Sequence, residues 1–152
     1  MIETVLEAGF QCTKKVNLAF NEKINRFLEG TGSVIFDHVH RLAYACLSGR
    51  TDAQLLRELC QILNYKPVIF HALDGQGHDI YHTNVMMAIG EDFVVICLDS
   101  VRDPSERQML EDLFKKTGKT IIDISLAQMN AFAGNMLQVR NDHGEEIGRA
   151  HV

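Results

Sequence analysis

Apolar and polar positions along this chain predict the same order of elements twice. In the first copy, short apolar runs at residues 33–36 and 42–47 predict two β-strands. A stripe of leucine and isoleucine at helical spacing predicts an α-helix over residues 52–63, and Thr51-x-x-Gln54 resembles a capping box at its start. Residues 66–70 then predict a third strand. The predicted unit is strand, strand, helix, strand.

The second copy has the same order. Its strands are predicted at residues 85–89, 93–98 and 120–124, and its helix at residues 104–116. The ends of this helix are predicted from Asp103 as N-cap, Pro104 at the first helical position and Gly118 as C-cap.

A fixed offset of 51 residues relates the copies. It places the turn at residues 31–33 on the turns at residues 82–84 and 133–135. Each turn has small residues, then a polar residue, then an apolar strand. A period near 50 predicts radial repetition, in which neighbouring units cover surface that each unit leaves open. We therefore predict an α/β fold built of ββαβ repeats.

The repeats are expected at about residues 33–73, 84–124 and 135–146, inside one domain over residues 1–146. This is about two full units and the start of a third. Residues 2–8 already have a helical rhythm with no cap before them, so we expect an internal fragment. Residues 147–152 match one translated frame of a sequencing-adapter oligonucleotide, and we expect a non-native tail there.

Composition excludes several classes of partner. The net charge is −5 and no run of lysine or arginine follows one face, so neither nucleic acid nor an anionic membrane surface is an expected partner. No apolar stretch has the length of a membrane span. Three of the four cysteines lie in apolar stretches with no CxxC pair, which indicates buried free thiols and a cytoplasmic protein.

His82 is the leading candidate for chemistry because it departs from the repeat. The equivalent positions are Thr31 and Ala133, and neither of these side chains titrates near neutral pH as imidazole does. Packing alone would be satisfied by the common residue type, so the departure suggests general acid–base work. A structural histidine bonded to backbone is the alternative.

Glu29 is the second candidate. It follows two apolar residues and precedes the Gly-Thr-Gly element, so its carboxylate should be buried and should need a guanidinium or imidazolium partner. The alternative is a glutamate on a surface loop. Gly-Thr-Gly is not a P-loop, because it lacks the Lys-Ser/Thr pair and no helix is predicted after it.

Other histidines have less specific interpretations. His71, His78 and His82 lie close in sequence and could form a metal site, although the segment is explained as two strand ends around a turn at residues 74–77. Asp37, His38 and His40 fall at a hairpin and are expected to be solvated. No metal and no cofactor is predicted.

Four motifs resemble the amidinotransferase superfamily. They are Phe-Leu-Glu-Gly-Thr-Gly-Ser at 27–33, Arg-Leu-Ala-Tyr-Ala-Cys-Leu-Ser at 41–48, Ile-Tyr-His-Thr-Asn-Val-Met-Met at 80–87 and Gln-Met-Asn-Ala-Phe-Ala-Gly-Asn-Met at 128–136. The resemblance covers about residues 3–146 and is greatest to the citrulline-utilization hydrolase or arginine-deiminase-related group. It implies a pentein fold, a five-bladed α/β propeller of ββαβ units around a polar channel.

The resemblance also implies a reaction. In such enzymes a cysteine thiolate attacks the central carbon of a guanidino or ureido group, and a histidine transfers protons. His82 matches the catalytic histidine and Glu29 the glutamate of the Glu-Gly element. Ser33, Asn84 and Asn135, the polar residues of the three turns, are the predicted substrate-binding residues. An amide at Asn84, where arginine deiminases have aspartate, favours a neutral ureido substrate such as citrulline.

The resemblance does not supply the nucleophile. The family's cysteine follows a glycine-rich run near the C-terminus, and none of the four cysteines has that context. The family's N-terminal substrate-binding element is not matched either. We therefore predict no hydrolase activity for these 152 residues, a small guanidino or ureido amino acid as the parent protein's substrate, and homo-oligomers formed through open blade edges. The alternatives are a non-catalytic propeller-fold binding protein and a metal-dependent hydrolase.

Overall fold

A computed structural model describes residues 7–12, 14–140, 143 and 146–150. The first ββαβ unit begins with α1 (Gly30–Ser33), a single helical turn that leads into β1 (Ile35–Asp37). β1 pairs antiparallel with β2 (Leu42–Cys46), and β2 pairs parallel with β3 (Lys66–Phe70). The crossover between β2 and β3 is α2 (Ala53–Leu63). The parallel pair needs this crossover, because a hairpin can join only antiparallel strands.

The second unit has the same topology. α3 (Thr83–Met86) leads into β4 (Met87–Ile89), which pairs antiparallel with β5 (Phe93–Ile96). α4 (Pro104–Lys116) then carries the chain to β6 (Thr120–Asp123), parallel to β5. The predicted repeat of strand, strand, helix and strand is confirmed.

A third unit begins after a short helix that the sequence analysis did not predict. This helix, α5 (Leu126–Asn130), starts with a capping box in which Ser125 and Gln128 each bond the other's backbone N–H. β7 (Met136–Arg140) follows and pairs antiparallel with β8 (Glu146–Ala150). The described residues thus form three separate sheets and not a closed ring.

The last strand of the third sheet extends into the end of the chain. Part of the segment expected as a non-native tail, residues 147–150, lies in β8. Residues 151–152 and most of the N-terminal segment expected to be helical, residues 2–6, lie outside the described residues. The predicted origin of residues 147–152 stays a prediction.

Two strand starts and one cap were predicted wrongly. Ser33 closes α1 and residues 85–86 belong to α3, so the first strand of each unit begins two residues later than predicted. The N-cap of α2 is Asp52, whose carboxylate accepts the N–H of Leu55. Thr51, the predicted cap, is instead buried.

Helix α4 has the predicted bounds. Asp103 caps its N-terminus by accepting the N–H groups of Ser105 and Glu106. At the other end Thr117 occupies the C-cap position, and the predicted cap Gly118 follows it with φ +70°, the left-handed conformation that favours glycine.

The core joins the units. All five residues of β2 are buried, because both faces of the strand are covered. On one face Ala43 and Ala45 pack with Leu56 of α2. On the other face Tyr44 stacks on Phe114 of α4, with ring centroids 5.5 Å apart. The first sheet therefore packs between its own helix and the helix of the second unit.

One buried ion pair also joins the two units. Asp37, predicted to be solvated, is 2% exposed, and its Oδ2 lies 3.2 Å from Nζ of Lys119. Lys119 Nζ also donates to the carbonyl of Glu91 at 2.6 Å. Asp37 Oδ1 accepts the backbone N–H of His40 at 3.1 Å, and Oδ2 contacts the His40 ring. The expectation for Asp37 was wrong because its cation comes from the other unit.

No helix among the described residues is long and apolar enough to cross a membrane.

Candidate active site

Three turns, one from each unit, meet where the chain enters β1, β4 and β7. The Thr83 hydroxyl of the second turn donates to the carbonyl of Ser33 in the first at 2.6 Å. A Cβ on Gly134 of the third turn would lie 2.7 Å from the carbonyl oxygen of Val85. The second turn therefore lies between the other two, as the offset of 51 residues places them in sequence.

Glu29 and His82 form a pair across the first two units. Nε2 of His82 lies 2.7 Å from Oε2 of Glu29. The Glu29 side chain is 42% exposed and that of His82 is 18% exposed, so the pair borders solvent. Glu29 has an imidazole partner as predicted, but it is more exposed than predicted. The carboxylate accepts from Nε2, which assigns a proton to that nitrogen.

Gly32 lets the His82 ring approach the first turn. A Cβ built on Gly32 would lie 2.8 Å from Nδ1 and 3.0 Å from Cε1 of His82. Real Cβ atoms do not come so close to other heavy atoms, so any larger residue would displace the ring. The glycine-rich turn thus makes room for imidazole.

Arg50 is a member of the site that the sequence analysis missed. Its Nη1 lies 3.5 Å from Oε2 of Glu29, and its guanidinium lies over the ring of Tyr81, 5.4 Å from the centroid. Tyr81 also contacts the ring of His82, with centroids 4.9 Å apart. Four side chains therefore form a closed circle of contacts: Glu29, His82, Tyr81 and Arg50.

A signal for Arg50 exists in the repeat. At the offset of 51 residues its equivalent is Val101, which is buried and apolar. The departure from the repeat that distinguished His82 applies to Arg50 in the same way.

Ser33 hydrogen bonds to the backbone of Glu29 and Arg50, the two charged residues that the first unit contributes to the candidate site. Its hydroxyl accepts the N–H of Glu29 at 2.9 Å and donates to the carbonyl of Arg50 at 3.0 Å. The residue is fully buried. The structure therefore gives this hydroxyl two protein partners, and contact between Ser33 and substrate stays a prediction.

Asn84 and Asn135 are half-buried residues of the second and third turns. The backbone N–H of Asn135 bonds the carbonyl of Phe132 at 3.0 Å, which closes the third turn. Their role in substrate binding stays a prediction.

The other histidines lie elsewhere. His71 pairs with Glu106 at 2.9 Å, and Nδ1 of His78 lies 3.4 Å from a carboxylate oxygen of Asp74. The three histidines of the alternative metal site therefore contact three different carboxylates. Within the described ranges, no group of three or more histidine, cysteine, aspartate or glutamate side chains could hold a metal ion.

Three cysteines are buried free thiols. Burial raises the pKa of the Cys46 thiol to about 11, although its hydrogen bond with Thr83 acts in the opposite direction. Burial also raises the pKa of Cys60 and Cys97. Thiols of this kind are poor nucleophiles, since the thiolate is the reactive form. Cys12 is free and exposed.

The fold has known structural relatives. The N-terminal domain of ArgZ with bound substrate, an arginine dihydrolase from the ornithine–ammonia cycle in cyanobacteria, matches with a TM-score of 0.64 and 15% identity. The match covers 89% of this chain and 46% of that one. The apo structure of ArgZ also gives 0.64 at 15% identity, over 90% of this chain and 20% of ArgZ. This chain thus spans less than half the length of each relative, and the similarity establishes the pentein-type fold.

No curated protein matches the chain. A family match covers residues 1–149, nearly all of the sequence, and its family is described as N,N dimethylarginine dimethylhydrolase, eukaryotic. The resemblance to the amidinotransferase superfamily is confirmed. The chain belongs to the N,N dimethylarginine dimethylhydrolase family of pentein-type enzymes.

Proposed function

We propose that this chain supplies the acid–base part of an active site that hydrolyses the guanidino or ureido carbon of an arginine- or citrulline-like amino acid. The observation that carries the proposal is the Glu29–His82 pair, 2.7 Å apart and open to solvent where two units meet. Membership of a dimethylarginine hydrolase family supports a guanidino-type substrate.

The proposed reaction has two stages. A cysteine thiolate adds to the central carbon of the substrate, and the leaving amine takes a proton from His82. Water then adds to the same carbon, gives a proton to His82, and the thiolate leaves. Glu29 holds the imidazole by accepting from Nε2. Arg50, whose side chain is 56% exposed, presents a guanidinium suited to the substrate's carboxylate.

The nucleophile is proposed to be absent from this chain. Cys46 lies near the site but is fully buried, and its Sγ donates to the carbonyl of Ile80 at 3.5 Å. We therefore expect no release of ammonia from citrulline or arginine, and no release of dimethylamine from dimethylarginine, by these 152 residues. Product release above a heat-inactivated control would contradict this part of the proposal and leave the site assignment intact.

Binding tests the site itself. Titration of the ¹⁵N-labelled chain with L-citrulline, L-arginine or dimethylarginine should shift backbone resonances around residues 29–33, 50 and 81–84. Glu29→Gln should abolish these shifts because it removes the carboxylate charge. Glu106→Gln is the matched control, since Glu106 also pairs with a histidine, His71, outside the candidate site. Shifts that are equal in both variants would oppose the proposal.

The same titration compares the substrates. The Asn84 amide makes no ionic contact with a guanidinium, so we propose that citrulline is preferred to arginine. A non-catalytic binding protein is the second candidate. It would be favoured if none of these amino acids binds. A metal-dependent hydrolase has no support from the described residues.

Self-association through open edges is also proposed. β1 and β3 are the outer strands of the first sheet, and Leu137 of β7 is 69% exposed. Unpaired strand edges and exposed apolar side chains favour association. Light scattering should show oligomers, and a monomer over the accessible concentration range would contradict this.

A further inference from the structure

The inference concerns Thr83, the residue after His82. Its Oγ1 hydrogen bonds to two elements of the first unit: it donates to the carbonyl of Ser33 at 2.6 Å and accepts the backbone N–H of Cys46 at 2.9 Å. Thr83 is fully buried. One hydroxyl therefore ties the turn that carries His82 both to the end of α1 and to the end of β2.

The repeat shows that this contact is special to the second turn. The residues equivalent to Thr83 at the offset of 51 are Gly32 and Gly134, which have no side chain to make such a bond. The equivalent of Cys46 is Cys97, whose N–H donates to the backbone carbonyl of Met86 at 2.9 Å. Thr83 thus replaces a backbone contact of the repeat with a side-chain contact between units.

His82 and Thr83, the two residues of the second turn that differ from the repeat, both contact the first unit near Glu29. His82 reaches across the boundary to Glu29, and Gly32 receives its ring at close distance. Thr83 reaches across the same boundary in the next position. Glu29 begins the turn that Ser33 ends, because the N–H groups of Gly32 and Ser33 both point to the carbonyl of Glu29. Fixing Ser33 therefore fixes the backbone from which Glu29 projects.

We propose that Thr83 is a positioning residue, whose hydroxyl sets the register between the first two turns and thereby holds His82 at hydrogen-bond distance from Glu29. As a role in the reaction this rests on the proposed function. The positioning of His82 by Thr83 can be tested without enzyme turnover, because it predicts a measurable energetic coupling between Glu29 and His82.

The test is a double-mutant cycle repeated in four backgrounds: wild type, two Thr83 variants and one control. Glu29→Gln and His82→Ala are made singly and together, and their coupling is measured by urea unfolding as a ratio of equilibrium constants. In the wild-type chain the coupling should be about two- to fivefold, as for other partly exposed ion pairs. Thr83→Val keeps the shape and removes the hydroxyl, so the coupling should fall to about one. Thr83→Ser keeps the hydroxyl and should preserve it.

Thr117→Val is the matched control. The Thr117 hydroxyl also bonds backbone carbonyls, those of Leu113 and Phe114, but entirely within the second unit. This variant should lower stability without changing the Glu29–His82 coupling. Where Thr83→Val does not fold, Thr83→Cys, with a weaker hydrogen-bonding group, takes its place. Unchanged coupling in the Thr83 variant, or equal loss in the Thr117 variant, would overturn the proposal. Failure of citrulline to bind would oppose only the proposed function.

Discussion

The buried ion pair between Asp37 and Lys119 makes a specific prediction about stability. The two side chains are each 1% exposed, and they come from different units, so they connect the units away from the candidate site. Lys119→Met removes the charge and keeps most of the side-chain volume. It leaves the Asp37 carboxylate buried without its cation and the Glu91 carbonyl without the Nζ donor.

The magnitude follows from what remains around Asp37. Removing one partner of a buried ion pair costs about 3–5 kcal/mol, mostly through the charge left behind. Asp37 keeps two contacts with His40, to its backbone N–H at 3.1 Å and to its ring at 3.0 Å. We therefore expect Lys119→Met to lower the free energy of unfolding by about 3 kcal/mol at neutral pH, the lower end of that range.

The assay is urea unfolding of the purified chain followed by circular dichroism. Lys115→Met is the matched control, because Lys115 lies on the surface with Nζ 4.0 Å from Glu111. This control should change the free energy of unfolding by less than about 0.5 kcal/mol. Asp37→Asn combined with Lys119→Met removes both charges and should recover most of the loss. The reasoning is refuted if Lys119→Met unfolds with the same free energy as Lys115→Met.

The pH dependence gives a second check with a defined sign. Burial raises the pKa of Asp37, but the hydrogen bonds from His40 and the Lys119 ammonium outweigh it, so the net pKa is lowered from 3.8. A carboxyl with a lowered pKa stabilises the fold above its unfolded value, and this contribution is lost as pH falls through the folded value. The stability difference between wild type and Lys119→Met should therefore shrink towards low pH. A difference that is constant between about pH 7 and pH 3 would contradict the linkage.

Three further predictions follow from single contacts. Gly32→Ala should push the His82 ring away from Glu29, and a crystal structure that keeps the 2.7 Å contact would contradict this. Asp52→Ala should lower the free energy of unfolding by about 1 kcal/mol through loss of the N-cap, and an unchanged urea midpoint would argue against the cap. Iodoacetamide at about pH 8 should label Cys12 and not Cys46, as read by peptide mass spectrometry, because burial holds the pKa of Cys46 near 11; equal labelling would count against burial.

Local signals predicted the regular elements well. β3 and α4 have the predicted bounds because each is limited by neighbouring residues: Pro67 follows the start of one, and Asp103 and Pro104 precede the other. The first strands of the two units, β1 and β4, were predicted about two residues too early. The residues just before these strands have a pattern that is compatible with a helical turn as well as with a strand. The contact between neighbouring turns favours the helical turn.

The contacts between units were beyond reach of local patterns. Asp37 lies in a hairpin sequence that indicates solvent exposure, and its cation Lys119 lies 82 residues later in the chain. Arg50 follows a glycine in a turn and has no local sign of function. Asp52, one position after the predicted Thr51, is the N-cap of α2. The exact start of a helix depends on how the preceding turn directs the chain.

Departure from the repeat identifies residues at unit boundaries and does not by itself identify function. At the offset of 51 residues, Glu29 corresponds to Ile80 and Arg50 to Val101, but Asp37 also corresponds to Ala88 and Lys119 to Val68. Each polar residue stands where the other copy has an apolar one, because two units meet there through charge. Two of these four residues belong to the candidate site, and the other two form a structural ion pair.

Exposure separates the two groups. The side chains of Asp37 and Lys119 are each 1% exposed, so a ligand has no access to their charges, and each charge is neutralised by the other. Glu29 is 42% exposed and Arg50 is 56% exposed, and their 3.5 Å contact leaves both groups open to a further partner. A pair at this exposure contributes little to stability. Because folding gains little from Glu29 and Arg50, their departure from the repeat is better explained by a ligand than by packing, and this is the physical basis for the proposal that the active site lies at this boundary.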